Sequence, residues 1–344
     1  MAPNDKQDHK QGHKAALLMI NLGSPDAPNT SATRRYLAEF LHDYRVIDMS
    51  RWIWCPLLHG IILRTRPARS ARAYASIWDQ PDGRGEGEAP LIRITRAQAL
   101  GVQARLGSDI HVEIAMRYGN PSIPDALAKL KNMGIHHIGI LPMYPQFAGA
   151  TTASVYDGVA KAVKTMWDMP TLRFLRDYHD DQRYIQALAR SVTTHLAALD
   201  WEPQTILTSY HGLPQRYVDA GDPYRSECAR TTDLLREALS MNAKDMQLTF
   251  QSRFGPEDWL QPYTDKTLEA LPREGIKRVA VMTPGFSADC LETLEEINME
   301  ARESFIEAGG EAFTYIPCLN THEDHLDLLA GLAREQLLTG WMQD

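Results

Sequence analysis

The chain has 344 residues, of which 44% are hydrophobic and 8% aromatic, enough apolar material for about two cored domains and too much for a disordered or fibrous chain. Its 36 basic and 44 acidic side chains leave a net charge of −8, which argues against nucleic acid as the partner, because phosphate binding needs a basic face. Four cysteines, at 55, 228, 290 and 318, make no C-x-x-C pair and are too sparse for a disulfide framework.

Residues 1–14 are polar, rich in His, Lys and Gln, and lack the apolar run of a secretory signal, so they read as a disordered tail. An apolar run at 15–22 ends in Gly23-Ser24-Pro25, a strand entering a turn, and a helical pattern follows at 33–41. The connection at 45–66 is unusually long and carries an apolar stretch, 52–63, interrupted by Pro56, His59 and Gly60. That stretch is too short to span a bilayer. Its tryptophans and the flanking Arg51, Arg64 and Arg66 suit a headgroup boundary, so it is expected to lie peripherally on the inner membrane of a cytoplasmic protein. The competing reading makes it part of the first domain's core. The loop at 80–89 contains Gly83-Arg-Gly-Glu-Gly87, but it follows no strand and opens no helix, so it fails as a dinucleotide loop.

Further short apolar runs at 112–116, 138–141, 172–174, 206–209, 247–250 and 278–282 are interleaved with helical patterns at 123–133, 184–199 and 291–306. Near-continuous apolar strands alternating with helices imply an α/β fold whose parallel sheets are covered on both faces. The segments beginning at Ile138 and Arg278 echo each other, each a strand, a Pro-aromatic turn and a helix start. Either a duplicated domain with a boundary near residue 170 or chance similarity explains the echo.

Ligands of open parallel sheets bind outside the carboxyl ends of the strands, and three clusters fall at such ends. The first is Ser209-Tyr-His211-Gly-Leu-Pro214, whose histidine suits a base or a metal ligand; alone, it reads more readily as a packing residue. The second is Pro284-Gly-Phe286-Ser-Ala-Asp289-Cys290-Leu-Glu292, followed by Glu295 and, four and eight residues after Glu292, by Glu296 and Glu300. At a spacing of four, a helix stacks Glu292, Glu296 and Glu300 on one face, able to relay protons or pass a hard cation, with a solvated acidic face as the plain alternative. Asp289 could serve only as that helix's cap. The third is Tyr144-Pro-Gln-Phe147 with Thr151 and Thr152, joined by Arg117-Tyr118; aromatics and an arginine there suit a flat, anionic, conjugated ligand.

Together these segments resemble the ferrochelatases, lyase-class metal chelatases that insert ferrous iron into a porphyrin at the terminal step of haem biosynthesis. The resemblance runs from Leu17 to Asn320, and its most specific pieces are Ser209-x-His211-Gly-Leu-Pro214, Gly221-Asp-Pro-Tyr224, Gln251-Ser-Arg253 and Pro284-Gly-Phe-x-x-Asp-Cys-Leu-Glu292. It implies two flavodoxin-like (Rossmann-type) domains, at 15–170 and 171–321, with parallel four- to five-stranded sheets flanked by helices. A porphyrin cleft would lie between them, and a C-terminal helix at 322–344 would return to the first domain. It further implies His211 and Glu292 as the catalytic pair and metal ligands, with Glu296 and Glu300 as the relay. Tyr144, Arg117, Tyr118, Phe286, Ser209 and Thr151 would line the porphyrin. Protoporphyrin IX and Fe2+ are then substrates, and no prosthetic group is expected. Several members have histidine where this chain has Cys290, which puts an imidazole metal path there in doubt, although a thiol could also meet iron. Some members hold a [2Fe–2S] cluster through clustered C-terminal cysteines; these are missing from this chain's end, so no such cluster is expected. A coproporphyrin or other tetrapyrrole chelatase stays open, as does a non-catalytic haem or porphyrin carrier, which would need the aromatic pocket but neither His211 nor the glutamate row. Oligomeric state is left open.

Overall fold

A computed structural model describes residues 15–78 and 87–342; the tail at 1–14 and most of the loop at 80–89 lie outside the described residues. Among these, the first sheet is built from β1 (Ala15–Asn21), β2 (Ile110–Met116), β3 (His137–Pro142) and β4 (Thr171–Phe174) in the order β2-β1-β3-β4. The second uses β5 (Thr205–His211), β6 (Met246–Gln251), β7 (Arg278–Met282) and β8 (Ala312–Ile316) in the order β6-β5-β7-β8. Every pairing is parallel. All seven residues of β1 are buried, as expected for a strand with helices on both sides of its sheet. The two sheets repeat one strand order, and the echoed segments occupy its equivalent strands, β3 and β7. Each leads into a π-helical turn, Gly149–Ala153 in one half and Glu296–Ala301 in the other.

The boundary expected at 170/171 falls one strand too early. β4 pairs with β3 from His137↔Thr171 to Ile140↔Phe174, so the first sheet runs to Phe174 and the crossing to the second lies beyond it. β8 had no counterpart among the sequence runs, because its five residues include Thr314 between the aromatics and read as a weak strand.

One apolar cluster joins the two sheets: Leu17 and Met19 of β1, Val102, Leu188, Ala280 and Met282 of β7, and Leu326 and Leu329 of the helix Glu323–Leu332. Each fully buried leucine here contributes about 1.5–3 kcal/mol. The C-terminal helix returns to the first domain, where a Cβ on Gly101 would sit 2.5 Å from Leu326 Cδ1 and the Arg173 guanidinium donates to the Thr339 carbonyl at 2.6 Å. At the start of that helix His325 is wholly buried and donates its Nδ1–H to the Asn320 carbonyl; burial pushes its pKa down to about 4, which keeps the imidazole neutral.

The long connection at 45–66 is mostly helical: Arg51–Leu57, a π-helical turn Leu58–Ile62, then Leu63–Ile77. Helical geometry divides its apolar stretch instead of placing it whole on the surface. Trp54, Leu58 and Leu63 turn inward onto Leu41, and the Trp54 indole N–H donates to the Leu41 carbonyl at 2.7 Å. Trp52, Ile53, Leu57 and Ile61 face outward, Trp52 at 92% exposure.

Candidate active site

His211 closes β5 and stands in register with Gln251, the last residue of β6. Its Nδ1–H donates to the Gly212 carbonyl at 2.7 Å, so the neutral ring carries its lone pair on Nε2. The next residue must be glycine, since a Cβ there would lie 2.8 Å from the Gln251 carbonyl oxygen. The Gln251 amide ties β5 and β6 to the helix that carries the glutamates. It accepts the Ser209 hydroxyl at 2.8 Å and donates to the Glu292 main-chain carbonyl at 2.8 Å and to Glu296 Oε2 at 3.3 Å. Ser252 sits in the left-handed region (φ 64°) and donates its hydroxyl to Glu296 Oε2 at 2.6 Å, a strained conformation of the kind that collects at functional sites.

The helix bearing the glutamates opens at Leu291, capped by a reciprocal pair between Cys290 and Thr293. Asp289 is therefore not the cap. Its carboxylate accepts the Tyr315 hydroxyl at 2.6 Å, the Asn320 amide at 2.6 Å and the Cys318 N–H at 3.2 Å, tying the loop after β7 to the loop after β8.

The even spacing of Glu292, Glu296 and Glu300 does not give one straight row. The π-helical turn lets the Glu300 N–H donate to the Glu295 carbonyl at 2.9 Å, so Glu300 stacks over Glu295. Burial raises the Glu296 carboxyl above its ordinary range; the Ser252 hydroxyl and the neighbouring His211 oppose this, and the Glu292 charge adds to it. Glu295 is pushed up to about 7, by burial first and then by the charges of Glu300 and Glu296, with Arg69 opposing. Four carboxyls thus form one cluster, half-buried at Glu292 and exposed at Glu300. Like charges this close make at least one of them a proton acceptor near neutral pH.

Three tyrosines of the first domain lie within reach of the Glu292 charge, Tyr36 and Tyr74 buried and Tyr144 partly so. Burial raises the Tyr74 phenol pKa, and the Glu292 charge adds to it; Tyr36 is raised by burial, by Tyr74 and by Glu292. Tyr144 is raised by burial too, with Arg117 opposing and Glu292 reinforcing, and its hydroxyl is buried with no hydrogen-bond partner among the described residues. Gly23 lets the loops after β1 and β2 meet: it holds φ +107°, and a Cβ would lie 1.8 Å from the Tyr118 carbonyl oxygen.

Of the ten residues singled out from sequence, His211, Glu292, Glu296 and Tyr144 share this electrostatic neighbourhood. Arg117 lies near it, yet its guanidinium is already paired with Asp43 (2.5 Å) and bonded to Ser154, while the Tyr118 hydroxyl donates to Asp43 at 2.8 Å. Neither is free to meet an anion without breaking that network. Ser209 is fully buried and orients Gln251 rather than facing open space. Phe286 packs with Leu22, Leu91 and Ile94 across the domains, and the Thr151 hydroxyl donates back to the Ala148 carbonyl at 3.4 Å. Cys290 belongs to the same apolar cluster, and burial, then Glu292, raises its thiol, so it stands there protonated rather than as an iron-binding thiolate.

The Gly221-Asp-Pro-Tyr224 motif holds the Tyr144 loop. Asp222 accepts the Gly149 N–H at 2.7 Å, Glu227 accepts the Phe147 N–H at 2.6 Å, and the Gln146 amide donates to Thr231 at 3.0 Å. Glu227 also gathers with Asp177 and His179, donor atoms all within 4.8 Å, but the Arg176 guanidinium already bridges the two carboxylates. Sequence reasoning did not single out Tyr36 or Tyr74, and nothing in their local spacing sets them apart from core positions; Glu295 it placed in the glutamate cluster without a role.

A family model for ferrochelatase matches residues 14–337. The chain is 48% identical over 329 residues to a ferrochelatase of Vibrio parahaemolyticus, covering 94% of this chain and 99% of that one. It is 50% identical over 331 residues to a ferrochelatase of Brucella canis, covering 96% and 93%. Among solved structures, SirB from Bacillus subtilis with Fe3+ superposes with a TM-score of 0.57 at 12% identity over 94% of this chain and 95% of that one, a likeness of fold alone.

Proposed function

The chain belongs to the ferrochelatase family, and from that premise we propose that it inserts Fe2+ into protoporphyrin IX, releasing protohaem and two protons. The observation that carries the mechanism is the Nε2 lone pair of His211 beside the Glu292–Glu296 pair, at the carboxyl ends of three adjacent strands.

Metal insertion exchanges two pyrrole protons for one ferrous ion, so the site must take up protons where the ion arrives. His211 Nε2 accepts the first proton, since its Nδ1–H is engaged with Gly212. The imidazolium so formed lies beside Glu296, whose carboxylate stabilises it and receives the proton in turn, which frees Nε2 to accept the second pyrrole proton. Glu292 lowers the positive charge built up by iron and proton together. Glu295 and Glu300 lead outward to solvent. Tyr144, the partly exposed member of the three tyrosines, presses one face of a planar macrocycle, and the buried Tyr36 and Tyr74 help to exclude water. Bending the ring exposes a nitrogen lone pair, binding energy applied toward the transition state. An anaerobic assay with Fe2+, followed by porphyrin absorbance, tests the reading: protoporphyrin IX should be converted faster than coproporphyrin. Faster coproporphyrin conversion would reassign the substrate, and binding without conversion of either would make the protein a carrier.

Peripheral attachment to a membrane is part of this reading. No helix among the described residues is long and apolar enough to cross a bilayer. The outward face of Trp52, Ile53, Leu57 and Ile61 lies beside the exposed Arg64 and Arg66, and Arg66 stacks 5.3 Å from the half-exposed Phe254 ring of the second domain. An apolar face edged by arginines suits an anionic headgroup layer, where an apolar porphyrin would be loaded. The protein should float with vesicles containing anionic lipid, and Trp52→Ser with Ile53→Ser and Ile61→Ser should abolish flotation without unfolding. Trp54→Ser with Leu58→Ser should unfold the segment instead, because both are core. Wild-type protein that stays at the bottom of the gradient removes the membrane claim.

A further inference from the structure

We propose that His42 and His59 form an accessory site for a divalent cation that prefers imidazole ligands, sharing no residue with the His211 cluster. His42 follows the last turn of the helix Thr30–Leu41, and His59 lies in the π-helical turn Leu58–Ile62. Both side chains are exposed, and their Nε2 atoms stand 3.1 Å apart. Two nitrogens bound to one metal at about 2.0–2.1 Å, at octahedral or tetrahedral angles, lie roughly 2.8–3.4 Å apart, so the gap matches that of neighbouring ligands. Rings meeting end to end across such a gap would have their centres farther apart than the 5.0 Å found, so the rings are bent about it, as rings sharing an ion are.

The proton on His42 is also where a ligand histidine needs it. Its Nδ1–H donates to the Ala38 carbonyl, which leaves the Nε2 lone pair of the neutral ring turned to His59, the usual backbone support of a metal-bound imidazole. The helix end it caps carries no basic residue in its last turn, so the negative end of the helix dipole there meets no side-chain cation. The neighbouring carboxylates are committed elsewhere, Asp43 to Arg117 and Glu39 to the Gly119 N–H, which leaves water to complete the coordination. Zn2+, Co2+, Ni2+ and Cu2+ suit two imidazoles, and the substrate ion Fe2+ belongs to the same class. An ion held here staples two elements 17 residues apart and stiffens the base of the outward-facing 52–61 face.

The test uses the full chain, whose other histidines, including His9, His13 and His211, set a background common to all variants. Equilibrium dialysis with Zn2+ should give the wild type one more tight equivalent than His42→Ala, His59→Ala or the double variant. Each single change should weaken that equivalent about tenfold or more. His59→Gln keeps a hydrogen-bond donor toward His42 but lacks the imidazole ligand, so it should lose zinc as fully as His59→Ala. Both positions are exposed, and circular dichroism of each variant checks the fold. Equal zinc uptake by all of these proteins would make the pair a simple hydrogen bond and overturn the proposal.

Discussion

His211→Ala is expected to abolish iron insertion while porphyrin binding survives. A positioned base typically contributes 10²–10⁴-fold, and here the same imidazole stands to receive the proton and to meet the ion, so the loss should reach about 10³-fold or more. The fold should tolerate the change, because His211 is only half-buried and its hydrogen bond runs to the adjacent Gly212 carbonyl at 2.7 Å. The cluster itself should respond in a second way. The neighbouring His211 helps to hold the Glu296 carboxyl down against burial and the Glu292 charge, so its removal should raise that carboxyl further. The expected signature is porphyrin fluorescence quenched on binding as in wild type, with no metalloporphyrin absorbance growing in afterwards. Turnover near the wild-type rate would remove His211 from the chemistry, and loss of porphyrin binding along with turnover would make it a wall residue instead.

What the sequence made legible follows the range over which each interaction acts. The period-two and near-continuous apolar runs of seven strands are local, and so they were readable; β8 was not, because five residues interrupted by Thr314 carry too little pattern. β4 was readable as a strand but not as a member of the first sheet, since its partnership with β3 is a pairing of backbones and leaves little trace in side chains. The stretch at 52–63 was readable as apolar, yet its division into a core face and an outer face depends on the helical phase through the π turn. The same turn moved Glu300 from Glu296 to Glu295, which a spacing rule for ordinary helices cannot foresee. Partners far apart in the chain were the least legible. Nothing near Arg117 announces Asp43, 74 residues away, whose carboxylate occupies the guanidinium expected to face the porphyrin. Likewise the Gly221-Asp-Pro-Tyr224 motif is recognisable as a motif, but only the fold shows Asp222 gripping Gly149.

Glu292→Gln should nearly silence the enzyme, and Glu300→Gln should hardly touch it. At position 292 the change removes a charge at nearly constant volume from the point where the first domain's tyrosines and the glutamate cluster meet, the charge felt by Tyr36, Tyr74, Tyr144 and Glu296 alike. Insertion should fall by about 10²–10³-fold, the range of a lost group that compensates charge developing in the transition state. Stability should change by about 1 kcal/mol or less, because the Cys290–Thr293 cap remains and only a first-turn acid is neutralised. Glu300 is exposed and stacks on Glu295, so its replacement should cost insertion no more than a few-fold. Its effect should appear instead in titration. Burial first and then the Glu300 charge raise Glu295 to about 7, and removing Glu300 favours the ionised form, so that carboxyl should titrate at lower pH. Carbon-13 NMR of labelled glutamates measures that shift directly, and the insertion assay measures the rates. Equal and small losses at both positions, with Glu295 unmoved, would return the row to an ordinary solvated acidic face and leave His211 without its proton outlet.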